Sequence, residues 1–518
     1  MHKWKSVNPH RLRQLFLRCD LNRLCRFIGL SVCKGVCHPS ITQNRKYRAD
    51  SQTNQISFPQ INHLFKCNEY SYKVNGYEGR SNSPVLGFDS NLLPSNSPPE
   101  DRWSAVTCLQ SRGMLFGVFD GHGGYACAQA VSERLFYYIA VSLLPLKTLV
   151  DIEDAVEKDR PVIPILQWHK HPSDHPSIGS NAGKRYFSSL RSYWQELIDL
   201  GEDEDRDIQD ALVKAFRRLD NDISLEAQAD FGEDFSCYAP LRVALSGCTA
   251  CIAHLDGTHL HVANLGDSRA MIGVQENNGM WSALTISNDH NAKNPMEVRR
   301  LHSEHPRSEK ATVVRHDRLL GLLTPFRAFG NIKFKWSSEL LMHVCERRQE
   351  MLSGNDIASM FPPEAHTPPY LTAEPEVTYH RVRPQDKFLV LATDGLWELM
   401  HRQNVVQVLG EHLTGIHWQK PVSGLSLTLG QMQTLLAERK TRALSALEDA
   451  NSATHLLRHA LGGDGFGTVD TEYLFRMLNL PQDLVRMYRD DITVTVIHLN
   501  QPVLEGNCNG SKTIVNLI

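Results

Sequence analysis

The chain has 518 residues, 41% hydrophobic and 22% charged, which supplies a sizeable core and sets it apart from disordered polymers. Its formal net charge of −3 hides an uneven distribution: residues 1–50 hold eleven Lys or Arg against only Asp20 and Asp50, leaving 44 basic and 56 acidic residues in the rest. That acidic balance argues against general nucleic-acid binding, and no run reaches the roughly 18 apolar residues of a spanning helix.

In chain order, a leader comes first. Arg11, Arg13, Arg18, Arg23 and Arg26 interrupt Leu12, Leu15, Phe16, Leu24 and Phe27. A secretory signal needs an unbroken apolar core, so this Arg-rich, acid-poor stretch reads as a mitochondrial transit peptide within a disordered leader, 1–70. A basic arm touching acidic surfaces is the alternative. Cys19, Cys25, Cys33 and Cys37 fall in this leader and the other cysteines are scattered, a pattern of free thiols rather than of a disulfide framework.

Residues 76–99 have a linker composition, and Glu100-Asp101 then precede a strand over 105–110. The apolar run 114–119 is a buried strand that breaks at Asp120-Gly121-His122-Gly123-Gly124. Glycines at such a break let a backbone carbonyl join the Asp120 carboxylate on one small hard cation; a plain Asp-Gly turn is the alternative. Cys127, Ala130, Val131, Leu135 and Ile139 give the next segment an amphipathic helical period.

Residues 147–198 turn polar, and their His169, His171 and His175 read as solvated loop histidines. A helix over 207–223 leads to a meander predicted at 242–245, 249–255, 259–264 and 269–274, with turns at Asp256-Gly257 and Gly266-Asp267. A second apolar run, 387–393, ends at Asp394-Gly395, and Asp490-Asp491 precede the β-branched strand 492–499. Polar stretches at 335–369 and 415–451 read as insertions, the latter helical over 435–447, and Asp464-Gly-Phe-Gly reads as a turn. The expected organisation is one domain over 71–500, with insertions near 147–205, 335–370 and 412–455 and a tail from 501. Four carboxylate clusters thus flank four apolar strands. Gathered at one end of a sheet they would repel one another unless cations neutralised them, and oxygen donors favour magnesium or manganese.

Six motifs stand in sequence: Phe-Asp-Gly-His-Gly-Gly (119–124), Ser-Gly-Cys-Thr-Ala (246–250), Ala-Asn-Leu-Gly-Asp-Ser-Arg-Ala (263–270), Arg-Ala-Phe-Gly (327–330), Ala-Thr-Asp-Gly-Leu-Trp (392–397) and Arg-Asp-Asp-Ile-Thr (489–493). With them the chain resembles the metal-dependent protein serine/threonine phosphatases of type 2C, over about residues 100–499. The stretches 367–377 and 384–388 are most similar to the pyruvate dehydrogenase phosphatases of the mitochondrial matrix.

The resemblance implies an α/β (α+β layered) fold, two central antiparallel β-sheets sandwiched between α-helices. It also implies hydrolysis of phosphoserine or phosphothreonine with two Mg2+ or Mn2+ ions, which lower the pKa of a water and clamp phosphate oxygens. Asp120 would bridge the ions, the Gly121 carbonyl would bind one, Asp394 and Asp490 would hold the other, and Glu100 would act directly or through water, with Asp101 orienting this set. His122 would be the general acid, a turn histidine being the alternative. Asp267 matches a third, weaker metal position, or else serves the hairpin turn.

The implied substrate is the phosphorylated pyruvate dehydrogenase α subunit, whose dephosphorylation reactivates the complex. Implied partners are the lipoyl domains of the acyltransferase core and a regulatory subunit. A matrix phosphatase for another dehydrogenase and a non-catalytic phosphoprotein-binding pseudophosphatase are the alternatives. Two positions depart from the family: Asn96 replaces an arginine that binds substrate phosphate, and Asn331 replaces an aspartate.

Overall fold

The computed structural model describes residues 58–500 apart from 75–82, 173, 175–179, 202–206, 230–237, 348–356, 359, 416–427, 435–448 and 464–468. The arginine-rich part of the leader, His175, the expected helix 435–447 and the Asp464 turn lie outside the described residues. In chain order the strands are β1 (Tyr70–Lys73), β2 (Val85–Leu93), β3 (Arg102–Cys108), β4 (Met114–His122), β5 (Leu166–His169), β6 (Gly247–Asp256), β7 (His259–Leu265), β8 (Arg269–Gln275) and β9 (Trp281–Thr285). The short β10 (Val314–Arg315), β11 (Arg318–Leu319) and β12 (Phe329–Gly330) follow, then β13 (Glu376–Arg381), β14 (Asp386–Ala392) and β15 (Ile492–Leu499).

Two large sheets result. One runs β1-β2-β15-β14-β8-β9 and the other β13-β7-β6-β4-β3-β5, with β12 pairing β6, and every pairing in both is antiparallel. Phe88, Ile272, Leu389 and Ile497 of the first sheet pack against Phe116, Val118, Cys251 and Ala253 of the second, which makes the inner layer of the core. Because both faces of these strands are covered, β4, β6 and β14 read as near-continuous apolar runs rather than alternating ones. Helices cover the two outer faces, as expected: Ala126–Leu143 and Ile208–Gln228 on the second sheet, Arg402–Thr414 and Ser452–Gly462 on the first.

Five features differ from the sequence expectation. Residues 242–245 are the end of a helix, Tyr238–Leu245, with Pro240 in its first turn where no intrahelical N–H is needed. The polar segment after 147 is part of the core: the helix Ser180–Leu200 buries Leu190, Trp194 and Leu197, and Glu153 accepts hydrogen bonds from Trp194 Nε1 (2.6 Å) and Arg191. His169 is buried rather than solvated, because β5 joins the edge of β3 opposite Ala105 and the ring bonds Thr107 (2.9 Å). Folded structure also starts before 70, since a helix at Phe58–Lys66 buries Ile61 and Phe65 under the first sheet.

Helix Ala126–Leu143 is buried on nearly every side, not amphipathic, because helices Ile208–Gln228 and Ser180–Leu200 close over its outer face. Its first turn has no side-chain cap of its own. Ser246 Oγ, from the start of the motif before β6, accepts from Cys127 N (3.0 Å) instead.

Candidate metal centre

Antiparallel pairing brings distant acidic residues to one end of the two sheets. β4 ends opposite the start of β6, with Asp120 paired to Thr249 and His122 to Gly247, while β7 ends on Leu265 opposite Ala250. In the other sheet the end of β14 lies beside the start of β15, Ala392 facing Val494. Asp120, Asp267, Asp394 and Asp490, each at or just beyond a strand end, therefore line one cleft of about 750 Å³ together with Gly121 and His122. One carboxylate oxygen from each of Asp120, Asp267 and Asp394 lies within 4.8 Å of the others.

Such a cluster is unfavourable by itself. Burial, reinforced by Asp394, Asp101, Asp267 and Asp490, pushes the Asp120 carboxyl well above the usual carboxylate range. Burial, with Asp267 and Asp490 alongside, drives Asp394 up to about 8, and burial beside Asp289 drives Asp267 up to about 6. Asp394 Oδ1 is buried with no hydrogen-bond partner among the described residues. An orphaned buried oxygen and three repelling hard donors are what a divalent cation with oxygen preference satisfies, so the residues present fit Mg2+ or Mn2+.

Adjacent residues point to different tasks. Asp490 lines the cleft, pairs with Arg486 (2.5 Å) and is raised by burial. Asp491 is fully turned away: its Oδ1 accepts from Ser95 N (2.5 Å) and Asn96 N (2.8 Å), and its Oδ2 accepts from Glu100 N (2.7 Å) and Asp101 N (3.4 Å). One carboxylate thus shapes the whole 95–101 loop. Arg489 adds hydrogen bonds to Ser95 Oγ (2.7 Å) and Pro94 O (2.8 Å). Glu100, held on this loop, is raised by burial and accepts from Gly124 N (2.6 Å), which ties it to the glycine turn after Asp120. Asp101 is buried behind the centre, where the hydroxyls of Thr393 and Thr493 both donate to its Oδ2 at 2.8 Å. Gly395 is required beside Asp394, since a Cβ there would lie 2.1 Å from Asp491 O.

His122 is held by Asn331, whose Oδ1 is 2.6 Å from Nε2; an amide oxygen only accepts, so Nε2 carries the hydrogen. Burial lowers the His122 pKa, which keeps the ring neutral more readily. Asn331 sits in the left-handed region (φ 49°), one that asparagine tolerates better than most residues, and donates its N–H to Ser246 O (2.9 Å). Asn96 does not line the cleft, and its Nδ2 is buried with no partner among the described residues. Composition and spacing do not reveal these tasks for Asp491, Arg489 or the His122–Asn331 bond. The sequence signal for Asp491 and Arg489 is their place inside a motif, and for Asn331 its departure from the family pattern just after Arg-Ala-Phe-Gly.

The family profile described as Protein phosphatase 2C matches residues 166–421, a span with Asp267 and Asp394 but not Asp120 or Asp490. Over 467 residues the chain is 62% identical to a mitochondrial pyruvate dehydrogenase (acetyl-transferring) phosphatase 1 from Pongo abelii and to its Homo sapiens counterpart, covering 89% of this chain and 87% of each relative. The chain belongs to the protein phosphatase 2C family. It is also 50% identical over 473 residues to a Homo sapiens mitochondrial pyruvate dehydrogenase phosphatase 2, covering 91% of this chain and 88% of that one. As a protein phosphatase 2C it is a hydrolase dependent on magnesium or manganese, and the acidic cluster is the place in this fold that suits the metal. Among the described residues no helix is long and apolar enough to cross a membrane.

Proposed function

We propose that the chain dephosphorylates phosphoserine on the pyruvate dehydrogenase α subunit in the mitochondrial matrix, and so reactivates that complex. The meeting of Asp120, Asp267 and Asp394 oxygens within 4.8 Å carries the chemistry. The 62% identity to relatives named as mitochondrial pyruvate dehydrogenase phosphatases supports the substrate and the compartment. Docking through lipoyl domains, with a regulatory subunit, belongs to the same reading and rests on family resemblance.

Asp120, the Gly121 carbonyl, Asp394, Asp490 and Glu100 would hold two divalent ions, with Asp267 serving a third. When bound, such ions supply an acidified water near neutral pH and neutralise charge on the phosphoryl oxygens. The protein's own residues do the remaining work. Asp101, fixed by two threonine hydroxyls, and Asp491, fixed by four backbone N–H groups, hold the loop and strand ends in register. His122, its Nε2–H held by Asn331, would act as the general acid in its imidazolium form, giving the Nδ1 proton to the departing serine oxygen and returning to the neutral ring.

The test is incubation of the purified protein with phosphorylated pyruvate dehydrogenase and with its phosphorylated branched-chain counterpart, in magnesium and then in chelator. Faster release from the first, abolished by chelator, is expected. Equal rates on both would remove the substrate assignment, and release that persists in chelator would remove the metal centre.

A further inference from the structure

Four basic residues line the cleft, and they are not equivalent. Arg486 is exposed and spends its charge on Asp490 at 2.5 Å. Arg318 is exposed and donates to Leu322 O (3.1 Å), and Arg242 is exposed, its guanidinium 5.9 Å from the centre of the Tyr125 ring. Lys333 is half-buried, and among the described residues its ammonium has neither a carboxylate nor a carbonyl within hydrogen-bond reach. Its ammonium lies 5.3 Å from the centre of the Phe334 ring.

A half-buried ammonium without an anion is costly, and the fold does little to let this one escape. Lys333 stands in the one-turn helix Ile332–Phe334. That turn is pinned before it by Asn331 N donating to Ser246 O (2.9 Å) and within it by the fully buried Phe334. After it, Lys335 Nζ is held by Asp220 (2.7 Å) and Ala328 O (2.8 Å). The backbone carrying Lys333 is therefore fixed at the same wall that holds His122, and its charge is near enough to act on the His122 ring. Asp120, Asp267, Asp394 and Asp490 line the same cleft, so an arriving phosphate dianion meets a strongly acidic floor, the solvent-exposed Arg242, and in Lys333 a cation that is partly desolvated and fixed beside His122.

We propose that Lys333 is a substrate-positioning residue whose ammonium engages the phosphoryl oxygens of the bound phosphoserine on the His122 side of the cleft. The assignment rests on the phosphatase reading above. A point charge with three rotatable donors on a flexible stem suits an anion whose oxygens redistribute charge during transfer.

The experiment uses the full chain with Mn2+ and a phosphoserine peptide, with inorganic phosphate as a competing anion, on wild type and on Lys333→Ala, Lys333→Gln and Lys333→Arg. The peptide KM and the phosphate inhibition constant are expected to rise roughly tenfold or more in Lys333→Ala and Lys333→Gln, the size of one charge-assisted hydrogen bond. Lys333→Arg, which keeps the charge, should stay within about threefold of wild type. Unchanged phosphate inhibition in both neutral variants would overturn the proposal, as would an equal loss in Lys333→Arg. If wild type itself shows no turnover, the phosphatase reading fails. The rise in melting temperature on adding inorganic phosphate then decides the matter, its loss in Lys333→Ala and retention in Lys333→Arg supporting Lys333 and an equal rise in all variants overturning it.

Discussion

His122 Nε2 and Asn331 Oδ1 meet at 2.6 Å across the front of Gly247, joining the end of β4 to the turn after β12. The contact exists because position 247 has no side chain: a Cβ there would lie 2.0 Å from Asn331 Oδ1 and 2.1 Å from His122 Nε2. Gly247→Ala should therefore push both groups apart. The expected result is a turnover at least about tenfold lower with a stability loss of about 1–3 kcal/mol, as for other overpacked sites. Steady-state kinetics beside thermal melting checks both; near-normal turnover would show that the His122 position is not critical.

Asp490 and Asp491 should separate cleanly. Asp491→Ala strips the acceptor from four backbone N–H groups of the 95–101 loop and should cost about 2–4 kcal/mol of stability. Asp490→Ala relieves repulsion in the cleft, so it should leave the melting temperature near that of the metal-free wild type while lowering activity. Denaturant melts of the two metal-free variants measure the difference, and equal destabilisation would contradict it.

Glu297 predicts an acid limb in stability. Burial alone would raise its pKa, but hydrogen bonds from Arg327 and Arg300 outweigh that and hold it down at about 2. A folded pKa below the unfolded value of about 4.3 gives stability that is complete above that value and lost as pH falls toward about 2. Glu297→Gln should be less stable than wild type by about 3 kcal/mol at neutral pH, with the gap narrowing as pH drops below about 5. Melting temperatures across that range test the sign. A gap that stayed constant would place the effect in packing rather than in charge.

Much of the frame was legible in the sequence because the central strands are covered on both faces. Continuous apolar runs that stop at Asp120 and Asp394 are visible without knowing what they pair with, and so the ends of β4 and β14 were located. What sequence could not supply was pairing. His169 looks like a loop histidine until β5 is laid on the edge of β3. Residues 242–245 are too short a stretch for periodicity to separate strand from helix, and Pro240 decides in favour of the helix. The polar look of 180–200 conceals Leu190, Trp194 and Leu197 on its buried face. Within Asp490-Asp491, composition gives two equal carboxylates; only the backbone shows that one faces the cleft and the other the loop.

The convergence of Asp120, Asp267 and Asp394 is tested most directly by calorimetric titration of Mn2+ into the metal-free chain and into Asp120→Asn and Asp394→Asn, with melting temperatures alongside. Removing one member of a repelling cluster should leave each metal-free variant at least as stable as wild type. Mn2+ should bind wild type and raise its melting temperature, and both responses should be lost or weakened by roughly a hundredfold in the variants. Mn2+ affinity equal to wild type in both variants would contradict a metal centre built on these carboxylates.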